Sequence, residues 1–155
     1  MSPSSPILIT IDSNEAARPR AAKIVEACGP DTRHFVWNPA ESLPFDLKFA
    51  MEDKTLHIEI KDFTGDDNSD YLSSILSGHL WEQVLAAREL QEPLVIAVLG
   101  DDADISSAIR KAAGHGENGN HGGFDFDKFT AYANMVDGFE ANCIGAGIQI
   151  WHLGY

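Results

Sequence analysis

Hydrophobic and polar residues alternate with period two in two neighbouring segments of the chain. In Leu43 to Phe49, the residues Leu43, Phe45, Leu47 and Phe49 alternate with Pro44, Asp46 and Lys48. In Lys54 to Lys61, Leu56, Ile58 and Ile60 alternate with His57, Glu59 and Lys61. This pattern predicts strands with one apolar and one polar face. The short connector Ala50-Met51-Glu52-Asp53 predicts an antiparallel hairpin. A turn centred near Met51–Glu52 sets Asp46 opposite His57 and diagonal to Glu59, and diagonal same-face neighbours lie about 7–8 Å apart at Cα. Asp46, Glu59 and Lys61 then share one polar face.

Elsewhere, Ile7 to Asp12 is a short apolar run ending on a carboxylate, the pattern of a buried strand. Ala16 to Cys28 reads as a helix stopped by Gly29-Pro30. Asp66-Asp67-Asn68-Ser69 offers helix caps, and a long helix is expected from there to about Leu90, with Leu72, Leu76, Leu80, Ala87 and Leu90 on its apolar face. Pro93 to Leu99 is apolar without alternation, as in a central strand covered on both sides. Helices are expected over about Ile105 to Ala113 and Phe126 to Cys143, and a last strand near Ile148 to Trp151. Between those helices lies GHGENGNHGG, residues 114–123, whose five glycines and two asparagines cannot pack a core and predict a mobile surface loop. With 32 residues after it, this loop interrupts one domain rather than dividing two. The expected fold is α/β, a central mixed β-sheet flanked by helices, in one domain spanning 1–155.

Composition narrows the function. The chain has 155 residues, 44% of them hydrophobic and 23% charged, as in one globular domain able to build a core without staples. No apolar run approaches the ~20 residues of a membrane span, and the N-terminus lacks the pattern of an export signal. Cys28 and Cys143 match no zinc or redox spacing, so the expectation is a cytoplasmic protein (in the host cytoplasm if the source is viral). Eleven basic against 24 acidic side chains leave a net charge of −13, which argues against coating nucleic acid through charge alone but leaves room for an enzyme that touches DNA locally.

An acid on one strand and acid-x-lysine on the next is an arrangement suited to phosphodiester cleavage. Two carboxylates on one face supply oxygen ligands for Mg²⁺, which takes one or two carboxylates plus waters and substrate phosphate. The lysine two residues on points the same way and can orient the attacking water or offset charge on the phosphate. The ordinary alternative is an amphipathic edge strand with Asp, Glu and Lys facing solvent. Gln83 falls inside the apolar stripe of the long helix, where its amide needs partners: Lys61, a metal-bound water, or a structural bond to backbone.

The run from Asp70 to Gln83, DYLSSILSGHLWEQ, resembles the helix that follows the nuclease motif in the XPF family of structure-specific endonucleases. In that family G-D and E-R-K-x-x-x-D precede a helix of the form D-L-x-x-S-I-x-x-G-R-x-x-x-Q. Asp46 stands in the Asp position of the first element, with Phe45 for its glycine. Glu59-Ile60-Lys61 matches E-R-K with Ile for Arg, and Asp70, Ser74, Ile75, Gly78 and Gln83 match within the helix. Asp12-Ser13-Asn14-Glu15 is similar to the strand-end D-x-R-E, with Asn for Arg. The resemblance implies a restriction-endonuclease-like fold and a metal-dependent endonuclease acting on branched or junction DNA, as in DNA repair or recombination. It assigns Asp46, Glu59, Lys61 and Asp70 to catalysis, the three carboxylates to Mg or Mn, and supporting places to Asp12, Glu15, Gln83 and His79; Asp12 and Glu15 read equally as strand-end and helix-cap residues. It also implies a homodimer formed through about Phe126 to Trp151, where Phe129, Tyr132, Met135, Val136 and Phe139 make a broad stripe.

The departures are specific. Between Lys61 and Asp70 stand eight residues where the family has three, so Asp66 or Asp67 could compete with Asp70 for the metal. Ile60 and His79 each replace a family arginine. The chain ends at Tyr155 without room for the family's helix-hairpin-helix domain, so a stand-alone nuclease domain is expected. Arg18, Arg20 and Lys23 form a basic cluster that could grip a DNA backbone, or be ordinary surface. His115, Glu117 and His121 match no closed zinc site. The lost arginines and the acidity leave two rivals open: an inactive nuclease-fold partner subunit, and an acidic binding protein.

Overall fold

The computed structural model describes residues 6–22, 35–63, 70–114 and 125–153. Its strands are β1 (Ile7–Ile11), β2 (Phe35–Trp37), β3 (Leu47–Ala50), β4 (Thr55–Lys61), β5 (Leu94–Leu99) and β6 (Gln149–Leu153). Its helices are α1 (Ser13–Ala16), α2 (Tyr71–Leu76), α3 (His79–Leu90), α4 (Asp102–Gly114) and α5 (Phe126–Gly145). Residues 19–22 are also helical. One six-stranded sheet runs in the order β2-β1-β3-β4-β5-β6. β3 is antiparallel to both neighbours and every other pairing is parallel. This is the expected α/β architecture with a mixed sheet.

The hairpin forms, but its register differs from the expected one. Met51 N–H donates to the Lys54 carbonyl at 2.8 Å, closing the turn one residue later than Met51–Glu52. Moving the centre by one residue slides the pairing by two, so Leu47 faces Ile58 and Lys48, not Asp46, faces His57. Continued by one pair, this register sets Asp46 level with Glu59. β3 is also shorter than expected at its start. Pro44 has no N–H for a ladder, and Leu43 N–H is taken by Asp12 Oδ1 at 2.8 Å.

Apolar residues cover both sheet faces. Leu94, Ile96 and Val98 pack with Tyr71, Leu72, Leu80, Val84, Val136 and Phe139 from α2, α3 and α5. On the opposite face Ile11, Leu47, Ile58, Ile60, Val95 and Ala97 form a second cluster with Trp37 and Phe49. β5 is therefore buried from Leu94 to Val98, as its lack of alternation implied. Glu59 and Lys61 pair with Ile96 and Val98, so the polar side of β4 lies on the helix-covered face rather than in solvent.

Two helices differ from those expected. The long one breaks at Ser77–Gly78, where Gly78 takes φ 83°, a left-handed conformation that glycine tolerates and that turns the chain between α2 and α3. The helix expected from Ala16 instead starts at Pro19, which readily begins a helix but cannot continue one, and the short α1 ending at Ala16 precedes it. The expected end of that helix at Cys28 to Pro30 lies outside the described residues, as do Lys23, Asp66, Asp67, the loop residues 115–123, and with them His115, Glu117 and His121. Among the described residues no helix is long and apolar enough to cross a membrane.

Candidate functional site

The C-terminal ends of β1 and β4 meet the start of β3 beneath α1 and α3. An open cleft of about 510 Å³ lies there, and its lining includes Asp12, Glu15, Arg18, Asp46, Glu59, His79 and Gln83. Residues far apart in sequence thus converge because β3 threads between the parallel strands β1 and β4. Phe45, 3% exposed, forms part of the wall, its ring 5.1 Å from that of His57.

Asp46 and Glu59 are the acidic pair at the floor. Asp46 Oδ2 accepts the backbone N–H of Ile60 at 2.7 Å. Burial pushes the Asp46 carboxyl up to about 8, the charges of Glu59 and Glu15 push the same way, and the Ile60 N–H and the Arg20 guanidinium oppose them. Burial also raises Glu59, against the Lys61 charge and side-chain hydrogen bonds from Gln83 and Lys61. Lys61 is fully buried behind Glu59, with Nζ 3.5 Å from Glu59 Oε1, and does not itself line the cleft. Glu59 Oε2 and Gln83 Oε1 are both buried without a hydrogen-bond partner. An unpaired buried oxygen is costly, and here two belong to residues that line the same cleft. His79 stands at the mouth, half exposed, 4.0 Å from Glu82.

Asp12 supports this floor through the backbone. Its Oδ2 caps α1 by accepting Asn14 N–H at 3.1 Å, and its Oδ1 holds Leu43. Its own N–H donates to the Asp46 carbonyl at 2.9 Å. Asp12 therefore anchors the segment that delivers Asp46, and both of its carboxylate oxygens are already engaged.

Asp70 is the N-cap of α2, its Oδ1 accepting Ser73 N–H at 2.8 Å, and it does not line the cleft. The helix start needs that acceptor, which explains the side chain's direction. Arg20 does not stand on the outer rim. Its guanidinium turns inward, Nε and Nη2 on the Glu15 carboxylate and Nη1 on Asp62 Oδ2 at 2.7 Å. Glu15, 1% exposed, needs that cation to be charged inside the fold. Arg18, by contrast, remains partly exposed at the cleft and lies 3.4 Å from Glu15. Sequence reasoning missed Asp62 as Arg20's partner. Only the burial of a charge next to Lys61 could have pointed to it, and a strand pattern does not report burial.

Asp46 and Glu59 also bear on metal binding. Among the described residues no group of three or more His, Cys, Asp and Glu side chains could hold a metal ion. Two opposed carboxylates still fit Mg²⁺ or Mn²⁺, since hard cations take oxygen ligands and Mg²⁺ keeps several waters. The unpartnered Glu59 Oε2 is the kind of anionic oxygen such a cation would satisfy.

No family model matches the sequence, and no curated protein matches it. Among solved structures, the chain is similar to XPF from Aeropyrum pernix in complex with DNA, with a TM-score of 0.57 and 18% identity over 97% of this chain and 57% of that one. It is similar also to XPF from Aeropyrum pernix described without DNA, with a TM-score of 0.55 and 18% identity over 94% of this chain and 55% of that one. The chain spans just over half the length of these matched chains. The likeness shows the fold: a six-stranded mixed sheet with flanking helices, shared with archaeal XPF.

Proposed function

We propose that this chain is a metal-dependent endonuclease that hydrolyses phosphodiester bonds in branched or junction DNA. The observation that carries the reading is the acid pair. Asp46, just before β3, is tied to the Ile60 N–H next to Glu59 on β4, both acids line the cleft, Lys61 is buried beside Glu59, and Glu59 Oε2 lacks a partner. Solvent-facing strands do not bury Glu and Lys in this way, so the ordinary surface reading loses its basis.

In this reading Asp46 and Glu59 hold the Mg²⁺ or Mn²⁺ ion. Bound there, the ion supplies Lewis-acid polarisation of a phosphate oxygen and a more acidic water. Lys61, buried 3.5 Å behind Glu59, acts from behind that carboxylate to offset charge growing on the phosphate. Gln83 orients Glu59 through its side-chain hydrogen bond and offers Oε1 to a proton-bearing group in the cleft. His79, when protonated, donates to phosphate at the mouth.

Homodimerisation belongs to the same proposal. α5 buries Val136, Phe139 and Cys143, while Met135, Ile144, Trp151 and Leu153 on α5 and β6 stay exposed. β6 is an outer strand of the sheet, so its outer edge and the exposed Trp151 and Leu153, which share one face of that strand, are offered to a two-fold partner. Light scattering is expected to report a dimer, and a monomer at high micromolar concentration counts against pairing.

One observation favours the rival reading as a non-catalytic partner subunit: Asp70 caps α2 and supplies no third carboxylate to the cleft. The deciding experiment is incubation with linear, flap, fork and four-way DNA in Mg²⁺, Mn²⁺ or chelator. The enzyme reading predicts metal-dependent cutting of the branched forms. No cutting of any form with either metal favours the partner subunit.

A further inference from the structure

Arg20 reaches the cleft floor from behind. It comes from the helical residues 19–22, and its side chain is 14% exposed. Nε and Nη2 form a fork on Glu15, with Nη2 to Oε2 at 2.8 Å. Nη1 donates to Asp62 Oδ2 at 2.7 Å. Nη2 also lies 3.4 Å from the Ile60 carbonyl and 4.0 Å from Asp46 Oδ2. One planar group thus joins the residues just after β1, the end of β4 and the start of β3.

Ile60 is the centre of this arrangement. Its N–H holds Asp46 Oδ2 at 2.7 Å and its carbonyl faces Arg20. Glu59 precedes it and Lys61 follows it. Fixing Ile60 therefore fixes the separation of Asp46 from Glu59 and the direction of Lys61. A guanidinium suits this place because its fork is rigid and permanently charged, whereas an ammonium is a point charge on a flexible stem. The outward-facing role of a phosphate contact is closed to it by these bonds.

We infer that Arg20 is a positioning residue for the acid pair: through Glu15, Asp62 and the Ile60 carbonyl it sets where Asp46 and Glu59 stand for a divalent cation. This rests on the metal-dependent reading above. Residues that orient metal ligands typically change metal affinity by ~10–100-fold when replaced. A merely structural brace would lower stability and leave the affinity of the folded protein unchanged.

The test is Arg20→Lys, which keeps the charge and removes the fork. Mn²⁺ binding is measured by calorimetry on wild type and variant, with circular dichroism to confirm folding. The inference expects the folded variant to bind Mn²⁺ ~10–100-fold more weakly. Wild-type affinity in a folded, less heat-stable variant would overturn it. If Arg20→Lys does not fold, Asp62→Asn removes one anchor of the fork while keeping its volume. Weaker Mn²⁺ binding in that variant supports the inference, and unchanged binding overturns it. Failure of the broader reading looks different: wild type itself then binds no Mn²⁺, and the positioning role falls with it.

Discussion

The backbone N–H of Ile60 donates to Asp46 Oδ2 at 2.7 Å, tying the carboxylate before β3 to the peptide that separates Glu59 from Lys61 on β4. That single bond makes an antiparallel register into a chemical site. It draws Asp46 out of water and next to a second carboxylate, and both effects favour the protonated acid unless a cation arrives. In the absence of metal the cleft therefore keeps Asp46 protonated rather than charged, a perturbed acid of the kind functional sites commonly hold.

The pH dependence follows with a definite sign. Asp46 is raised from 3.8 to about 8 in the folded protein, chiefly by burial. Its contribution to stability is complete below its unfolded value and is lost as pH rises through about 8. Thermal melts of metal-free protein are expected to fall between mildly acidic and mildly alkaline pH, and Asp46→Asn should flatten that fall. Mn²⁺ must displace the Asp46 proton, so affinity should rise by about tenfold per pH unit up to the folded pKa. Calorimetry in buffers of different ionisation enthalpy reads the released proton directly. Equal heats in all buffers would contradict this linkage.

Asp70 separates a cap from a ligand. Its carboxylate accepts Ser73 N–H, so Asp70→Ala is expected to cost about 0.5–2 kcal/mol of stability. Asp70→Asn should keep most of that stability, since asparagine caps nearly as well. Neither change should alter Mn²⁺ affinity measured by calorimetry. A marked loss of affinity in Asp70→Asn would return Asp70 to the metal.

Two glycines predict opposite shifts. Gly78 has φ +83° and open space where a Cβ would stand, so Gly78→Ala carries only the left-handed backbone cost of roughly 1–2 kcal/mol. Gly138, inside α5, also has open space but an ordinary helical backbone, so Gly138→Ala should stabilise by about 0.5–1 kcal/mol. At this chain length each kcal/mol moves the melting temperature by about 2–4 °C. A Gly78→Ala variant that melts no lower than wild type would contradict the left-handed break between α2 and α3.

The alternation of Leu56, Ile58 and Ile60 with His57, Glu59 and Lys61 made β4 legible, and with it the shared face of the two acids and the lysine. The pairing register was not legible, because the bond from Met51 to Lys54 that closes the turn leaves no mark on the alternation. Period two also cannot tell solvent from a helix-covered cleft, so the burial of Glu59 and Lys61 had to come from the packing of α2, α3 and α5. Gln83 was readable because a polar residue in an apolar stripe breaks the pattern. Arg20 was not, because a basic residue on a helix looks the same whether it faces water or crosses to Glu15 and Asp62. The break at Gly78 was hidden by apolar spacing that continues from Leu72 through Leu80 to Ala87.

The most direct test of the acid pair is single-turnover cleavage of branched DNA in Mn²⁺ by wild type, Glu59→Gln and Lys61→Ala, at fixed salt. Glu59→Gln removes a ligand charge with little change in volume. Lys61→Ala leaves both acids in place but removes a preorganised charge, a loss that typically costs ~10²–10³ in rate. The predicted result is metal-dependent cutting by wild type, with both variants slower by about that factor or more. Wild-type rates in both variants, or a wild type that cuts no branched DNA in Mn²⁺, would contradict it.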